Sequence, residues 1–310
     1  MLWKAVVGMG LVSVITVSVF QNYKWAILDK LDFSFFPNQK FCSNVNEIEN
    51  YINQGGNPNP YFRSSERKTL LICAIEANSQ STVELLIAKG ANINDSLPYI
   101  KSVDWLKFLI AQGVDINSKH YRDQTLLHYA VINNSKEIAE LLLSRIVNAN
   151  AKDYNGNTPL HLAAAINKNY RKFSNSNLNL LYYHEPTFDN SGINIRLYII
   201  KLLLKNGAFV DIRNDDNNTP LHLAARANNQ DIAEYLLEKK ASIDAKNKKG
   251  KTPLMFAAEG TGGVSMMKLL IESGADINAK DNEGSTVLDI AEKYGKKDLF
   301  EKIIRKKITQ

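Results

Sequence analysis

Two cysteines in 310 residues, 31 positions apart, provide neither a disulfide framework nor a four-thiolate metal site. Crosslinks and zinc are therefore not expected to hold the chain together, and its core has to be apolar packing. Charge of one sign is also scarce. Against 32 Asp and Glu there are 38 Lys and Arg, a net charge of +6, far milder than a dedicated nucleic-acid binder carries. With 45% hydrophobic and 23% charged residues the composition is that of an ordinary soluble protein, which excludes disorder and collagen-like fibres.

Long apolar runs are absent except at the amino terminus. Ala5 to Phe20 is uncharged, and its polar members are Ser13, Thr16 and Ser18. A helix of this length reaches about 24 Å, short of the ~30 Å hydrocarbon core yet longer than the usual apolar stretch of a cleaved signal. Trp3 and Lys4 flank it on one side and Tyr23, Lys24 and Trp25 on the other, amphipathic residues suited to a membrane–water boundary. No small-x-small site precedes Gln21. Residues 1–25 are thus expected to be an uncleaved single-pass anchor, with a cleaved export signal as the alternative. Lys4 and the terminal amine balance Lys24, Lys30 and Lys40, so the charges do not orient the segment.

A repeat runs through the remainder, residues 26–310. Thr158-Pro159-Leu160-His161 recurs as Thr219-Pro220-Leu221-His222, and in weaker form from Thr69, Thr125, Thr252 and Thr286. Thr125 to Thr158 and Thr219 to Thr252 are each 33 residues, and Thr252 to Thr286 is 34. A second series keeps step with the first: Gly90-Ala91-Asn92-Ile93-Asn94, Gly113-Val114-Asp115-Ile116-Asn117, Gly207-Ala208-Phe209-Val210-Asp211 and Gly274-Ala275-Asp276-Ile277-Asn278. In these motifs the chain resembles the ankyrin-repeat family, whose unit is about 33 residues and whose signature is the TPLHxA stretch. The resemblance covers about residues 36 to 310. It implies an all-α solenoid of stacked helix-turn-helix units carrying short β-hairpin fingers, seven to eight units long.

Each unit also reads physically. Thr at the head of the tetrad is a helix N-cap, and Pro fits the first turn, where its missing N–H is not needed. Ala163-Ala164, Ala224-Ala225 and Ala257-Ala258 keep the first helix thin enough for a neighbour to approach. The second helix has apolar residues at helical spacing, as in Ile232, Ala233, Leu236 and Leu237, and glycine at 90, 113, 207 or 274 ends it in a left-handed conformation. The segments around Gly156, Gly250 and Gly284 are turn compositions, with Asn217 and Asp123 at the glycine position of two further fingers. A degenerate unit near residues 35–60 is expected to cap one end. At the other, Leu299, Phe300, Ile303 and Ile304 should form the inner stripe of a carboxyl cap.

Two segments depart from the pattern. A degenerate unit at 95–121 lacks the tetrad and carries Pro98, so the array should open there first. An insertion at about 167–194 carries Tyr170, Phe173, Tyr182, Tyr183, His184 and Phe188 among Asn and Ser.

Chemistry-bearing patterns are missing. His128, His161 and His222 occupy the fourth tetrad position, where the resemblance implies a hydrogen bond from one unit to the next. His184 and Glu185 are followed by Pro186 with no second His at helical spacing, which breaks the zinc-protease pattern. Gly250-Lys251-Thr252 lacks the earlier glycine of a phosphate loop, Ala245 standing there instead. Cys73 reads as a small buried hydrophobe. No enzyme activity, cofactor or metal is expected.

The resemblance implies a monomeric protein-interaction scaffold that grips a partner protein on a concave face built from fingers and first helices. Transferred by position, the contacts are Arg122, Gln124, Tyr154, Asn155, Asp216, Lys248, Lys249, Lys251 and Glu283 on the fingers, and Arg226 and Glu259 on the first helices. Nucleic acid is not expected as a partner. The Asn, Lys and Ile bias looks like that of an AT-rich genome, and resemblance to the exported ankyrin proteins of intracellular bacteria implies an effector acting on a host protein as the alternative.

Overall fold

The computed structural model describes residues 39–60, 69–165, 191–260 and 263–308, and every regular element in them is helical. Residues 5–20 and the aromatic residues of the insertion lie outside these ranges. Among the described residues no helix is long and apolar enough to cross a membrane. The chain divides into two compact units: residues up to Ile100 with Asp104–Val114, and Lys101–Val103 with the residues from Asp115 onward. The division falls on the stretch where the tetrad is missing.

In the first unit the helices are α1 (Gln39–Cys42), α2 (Val45–Asn53), α3 (Leu70–Glu76), α4 (Gln80–Ala88) and α5 (Val103–Ala111). Thr69 opens α3 as expected, its Oγ1 accepting from Ile72 N at 3.3 Å. Leu70 through Ile75 are all buried, together with Ile48, Leu86, Leu106 and Leu109. Pro98 sits in a 3-10 turn, Leu97–Tyr99, that interrupts the helical pattern before α5.

Here the cysteines correct the sequence reading. Cys42 and Cys73 form a disulfide with Cα atoms 5.6 Å apart, tying α1 to α3. The reason lies in the period: 31 residues of separation is close to one repeat, and stacking carries residues one repeat apart into adjacent units. Judged along the chain the two are distant; judged across the stack they are neighbours.

The second unit contains α6 (Leu126–Ile132), α7 (Lys136–Leu143), α8 (Pro159–Ala165), α9 (Ser191–Lys205), α10 (Pro220–Ala227), α11 (Gln230–Glu238), α12 (Pro253–Glu259), α13 (Gly263–Glu272), α14 (Val287–Lys293) and α15 (Lys297–Ile308). First helices α6, α8, α10, α12 and α14 pack in sequence order, and second helices α7, α9, α11, α13 and α15 do the same behind them. The paired alanines make the first layer: Ala163, Ala164, Ala224, Ala257 and Ala258 are completely buried. Ile199, Ile200, Leu203, Ile232 and Leu236 fill the seam between layers. Helix α9 starts at Ser191, inside the stretch read as insertion, and buries Arg196, whose guanidinium is pulled down to about 10 by that burial.

Helix ends follow the expected chemistry. Gly207 and Gly274 take φ of +85° and +97° after α9 and α13, a region open to glycine. Gly260 follows α12 for another reason: a Cβ there would stand 2.3 Å from the Arg226 carbonyl oxygen, so only glycine allows the two backbones to approach. The Lys296 ammonium caps the same end from the next unit, donating to the carbonyls of Ala258 (2.7 Å) and Gly260. In the carboxyl cap Phe300 is buried, but Leu299 is 43% exposed and does not join the inner stripe. It neighbours Phe300 in sequence, and successive helical residues diverge by about 100°.

Two outcomes test this architecture. Leu236→Ala should cost about 2–5 kcal/mol in urea unfolding, because Leu236 is fully enclosed between layers. In native-state hydrogen exchange, amides between residues 97 and 118 should lose protection before those of α6, α8 and α10; uniform protection across residues 70–130 contradicts the division.

Candidate partner-binding surface

The frame of the surface is polar and repeats once per unit. In the second unit, Thr125 N donates to His128 Nδ1 (3.1 Å), Thr158 N to His161 Nδ1 (3.2 Å) and Thr219 N to His222 Nδ1 (3.1 Å). A nitrogen that accepts from a backbone amide carries no proton, so each ring is protonated at Nε2. Those Nε2–H groups donate to the carbonyls of Asn157 (3.1 Å), Asn218 (2.9 Å) and Lys251 (3.0 Å) in the following finger. The expected tie between units is therefore present three times. Burial pushes each ring down to about 4, and the nearby Lys119, Lys152 and Arg213 charges act in the same direction. All three are neutral at pH 7. At α14 the fourth tetrad residue is Asp289, whose carboxylate accepts from Thr286 N at 2.8 Å.

Each finger is a closed loop. Asp153 N donates to Asn157 O (2.8 Å), Asn214 N to Asn218 O (3.1 Å), Asn247 N to Lys251 O (3.0 Å) and Asp281 N to Ser285 O (3.0 Å). The Oδ1 of the same four residues accepts two backbone amides inside each loop, at 2.8–3.1 Å. For Asp153, burial raises the carboxyl above its usual value, opposed by these bonds. The fingers are hairpin-like but not strands: among the described residues none is in a β-ladder. Single backbone bonds join successive fingers instead, from Tyr154 N to Arg122 O (2.8 Å), Asp215 N to Asn155 O (3.1 Å), Lys248 N to Asp216 O (2.9 Å) and Asn282 N to Lys249 O (3.0 Å). At Gly156 a Cβ would meet the Asp215 backbone nitrogen at 2.7 Å, so glycine there lets adjacent fingers touch.

This ladder brings five tips into one row. Tyr154 is 73% exposed, and Asp216, Lys248, Lys249 and Glu283 also lie open to solvent. Arg122 is half-buried with its guanidinium 5.2 Å from the Tyr121 ring, and Asn155 is half-buried through its part in the ladder. Arg226 is exposed on α10, 5.8 Å from the Phe256 ring.

Three of the expected contacts are otherwise engaged. Gln124 is 4% exposed and hydrogen-bonds the Asp153 side chain, because the residue before the tetrad turns into the seam between fingers. Lys251 and Glu259 form an ion pair with each other across one unit. Burial depresses Lys251, but the hydrogen bond and charge of Glu259 outweigh it and raise the group overall.

Sequence reasoning missed Tyr121, 57% exposed, and Asp215 at the third tip. It also missed a row of cations at Lys119, Lys152, Arg213, Lys246 and Lys280, all exposed. The signal was present: each stands six residues before the Thr of its unit. The Asn and Asp that close the glycine series carry a further set of bonds. Asn117 Oδ1 accepts from Asn148 N (3.4 Å), Asn150 from Phe209 N (2.9 Å), Asp211 from Ser242 N (2.9 Å) and Asp244 from Asp276 N (2.9 Å).

Family profiles agree with this geometry. Ankyrin repeats (3 copies) match residues 99–173 and 193–247, Ankyrin repeats (many copies) match 238–291, and a single Ankyrin repeat matches 66–96. The chain belongs to the ankyrin-repeat family. Among curated proteins it is similar to Protein VAPYRIN-LIKE of Medicago truncatula, 30% identical over 110 residues, 32% of this chain and 23% of that protein. It is also similar to the ankyrin repeat protein FPV115 of fowlpox virus (strain NVSL), 29% identical over 108 residues, 33% of this chain and 20% of that one. The matched part spans less than a quarter of either relative. These relatives are a plant and a viral protein, and they lend no support to the bacterial character expected from composition. Ankyrin membership carries a role in protein–protein interaction.

The buried histidines make the ankyrin frame acid-sensitive. A folded pKa near 4 against an ordinary 6.5 means that the folded state holds fewer protons than the unfolded one between those values. Stability should be complete above about pH 6.5 and fall as pH drops toward 4, by on the order of 3 kcal/mol per ring at the limit. Urea midpoints measured from pH 7 to 4 should show this decline. A His128→Gln/His161→Gln/His222→Gln variant, weaker at pH 7, should show a flatter profile.

Proposed function

We propose that this chain is a non-catalytic scaffold that binds one partner protein along the row of finger tips and the adjoining first helices. The observation that carries the reading is the finger ladder. Backbone bonds hold the tips in fixed register, so Tyr121, Tyr154, Asp216, Lys248, Lys249 and Glu283 are displayed with little ordering entropy left to lose on binding. Their order is specific: aromatic at two tips, acidic at the third, basic at the fourth. Large rigid aromatics flanked by mixed charge suit a protein surface, with Tyr154 as its anchor.

The repeats are held at a membrane through residues 5–20 and face an oxidising compartment. The Cys42–Cys73 bridge supports that side, since glutathione and thioredoxin keep such pairs reduced in the cytosol. The alternative, an exported effector acting on a host protein after signal cleavage, draws on the same bridge and differs in the fate of the apolar segment.

Crosslinking in the native cell followed by capture of the tagged full chain identifies the partner. Tyr121→Ala/Tyr154→Ala should reduce capture at least tenfold with an unchanged urea midpoint, as expected for exposed anchor residues. Undiminished capture rejects the tip row as the contact surface. Fractionation with intact mass separates the two fates: full length in the membrane pellet indicates an anchor, and loss of about 20 residues with soluble recovery indicates a signal. A protein recovered under acid quench with both thiols alkylatable before reduction rejects the oxidising side.

A further inference from the structure

Five cations of the second unit occupy one register position in five successive repeats. Lys152 Nζ donates to the carbonyl of Arg213 (2.9 Å), Arg213 Nη1 to that of Lys246 (2.7 Å), and Lys246 Nζ to that of Lys280 (2.9 Å). These three side chains reach the backbone of the next member, which sets Lys152, Arg213, Lys246 and Lys280 in single file across the stack, and Lys119 holds the same position one repeat earlier. A carbonyl takes one of the three protons of a lysine ammonium and leaves two for another acceptor.

Like charges in file repel unless an anion covers them. Acids stand near the two ends of the file: Asp123 reaches Lys119 at 3.4 Å across an exposed pair, and the Lys280 charge acts on Asp289. Between them, Asp211 and Asp244 turn toward the backbone amides of Ser242 and Asp276. Beside the first two cations is an open hollow of about 600 Å³, lined by Lys119 and Lys152 and by Ile146, Val147, Asn148 and Asn150 among others. Ile146 is 95% exposed there.

Spacing selects the ligand. Packed helices lie about 8–10 Å apart, so the file carries one positive charge per such step. A polyproline II segment advances about 3.1 Å per residue with about three residues per turn, so every third side chain falls at about that interval on one face. A nucleic-acid strand places a phosphate about every 3.4 Å, three times too densely. We propose that the file binds an acidic segment of the partner protein in the polyproline II conformation, with a carboxylate at every third residue and an apolar side chain seated beside Ile146. This rests on the scaffold reading above and names the chemistry of its partner.

The test uses the full chain and fluorescein-labelled synthetic peptides of about fifteen residues, read by anisotropy. One peptide has Glu at every third position and Leu at either end; its isomer has the same composition with the Glu residues contiguous. The spaced peptide should bind at least fivefold more tightly than the isomer and weaken as salt rises from 50 to 500 mM. Lys152→Gln/Arg213→Gln/Lys246→Gln should lower its affinity about tenfold, each exposed ion pair accounting for roughly a two- to threefold step. Because those three also brace neighbouring units, Lys119→Gln/Lys280→Gln is the second variant. It should lose about fourfold at an unchanged urea midpoint. Equal binding of the isomer, tighter binding of a thymidine oligonucleotide, or no peptide binding overturns the proposal. If peptides fail while crosslinked capture still depends on Tyr121 and Tyr154, the file alone is wrong; if capture fails too, the scaffold reading falls with it.

Discussion

No helical pair in this chain can cover its own apolar side. The first helices, seven or eight residues long, are too short to enclose anything, and the second helices carry buried Ile and Leu along one edge. Burial happens between units or not at all, so the stability of any one unit depends on its neighbours. That constraint explains why the tetrads recur in strict phase. It also explains why the missing tetrad at 95–121 coincides with the division of the chain into two compact units.

Apolar contact alone would let the units slide, and the polar bonds fix their register. Neutral histidine rings, finger amides and the Asn or Asp of the glycine series each reach one unit onward, the rings in a buried or half-buried setting and the Asn and Asp of the glycine series at the surface. A protonated ring at the fourth tetrad position would lose the bond that its Nδ1 accepts, which is why burial and function of these rings go together. Binding side chains on the fingers are therefore presented by a frame whose geometry does not depend on them.

Much of this was legible in the chain. The Thr caps, the left-handed glycines after the second helices, and Asn217 and Asp123 in place of finger glycine follow from local chemistry at a fixed period, and the role of the three histidines was implied by the family resemblance. Contacts were less legible. Gln124 and Tyr154 both sit on fingers, yet one turns into the seam and the other out to solvent, because a shift of a few residues around a tight loop reverses the direction of a side chain. Lys251 and Glu259 read as two contacts and are one ion pair.

Sequence by itself determined the repeat, the helix caps and the absence of a recognisable catalytic pattern, since each of these is written within a few residues or at a constant interval. Tertiary structure decided which residues meet across that interval. Cys42 and Cys73 are joined only because stacking folds one repeat of chain into a few ångströms, and Lys119, Lys152, Arg213, Lys246 and Lys280 become a single file only when five units stand side by side. Proximity between repeats is a property of the stack, which no single unit contains.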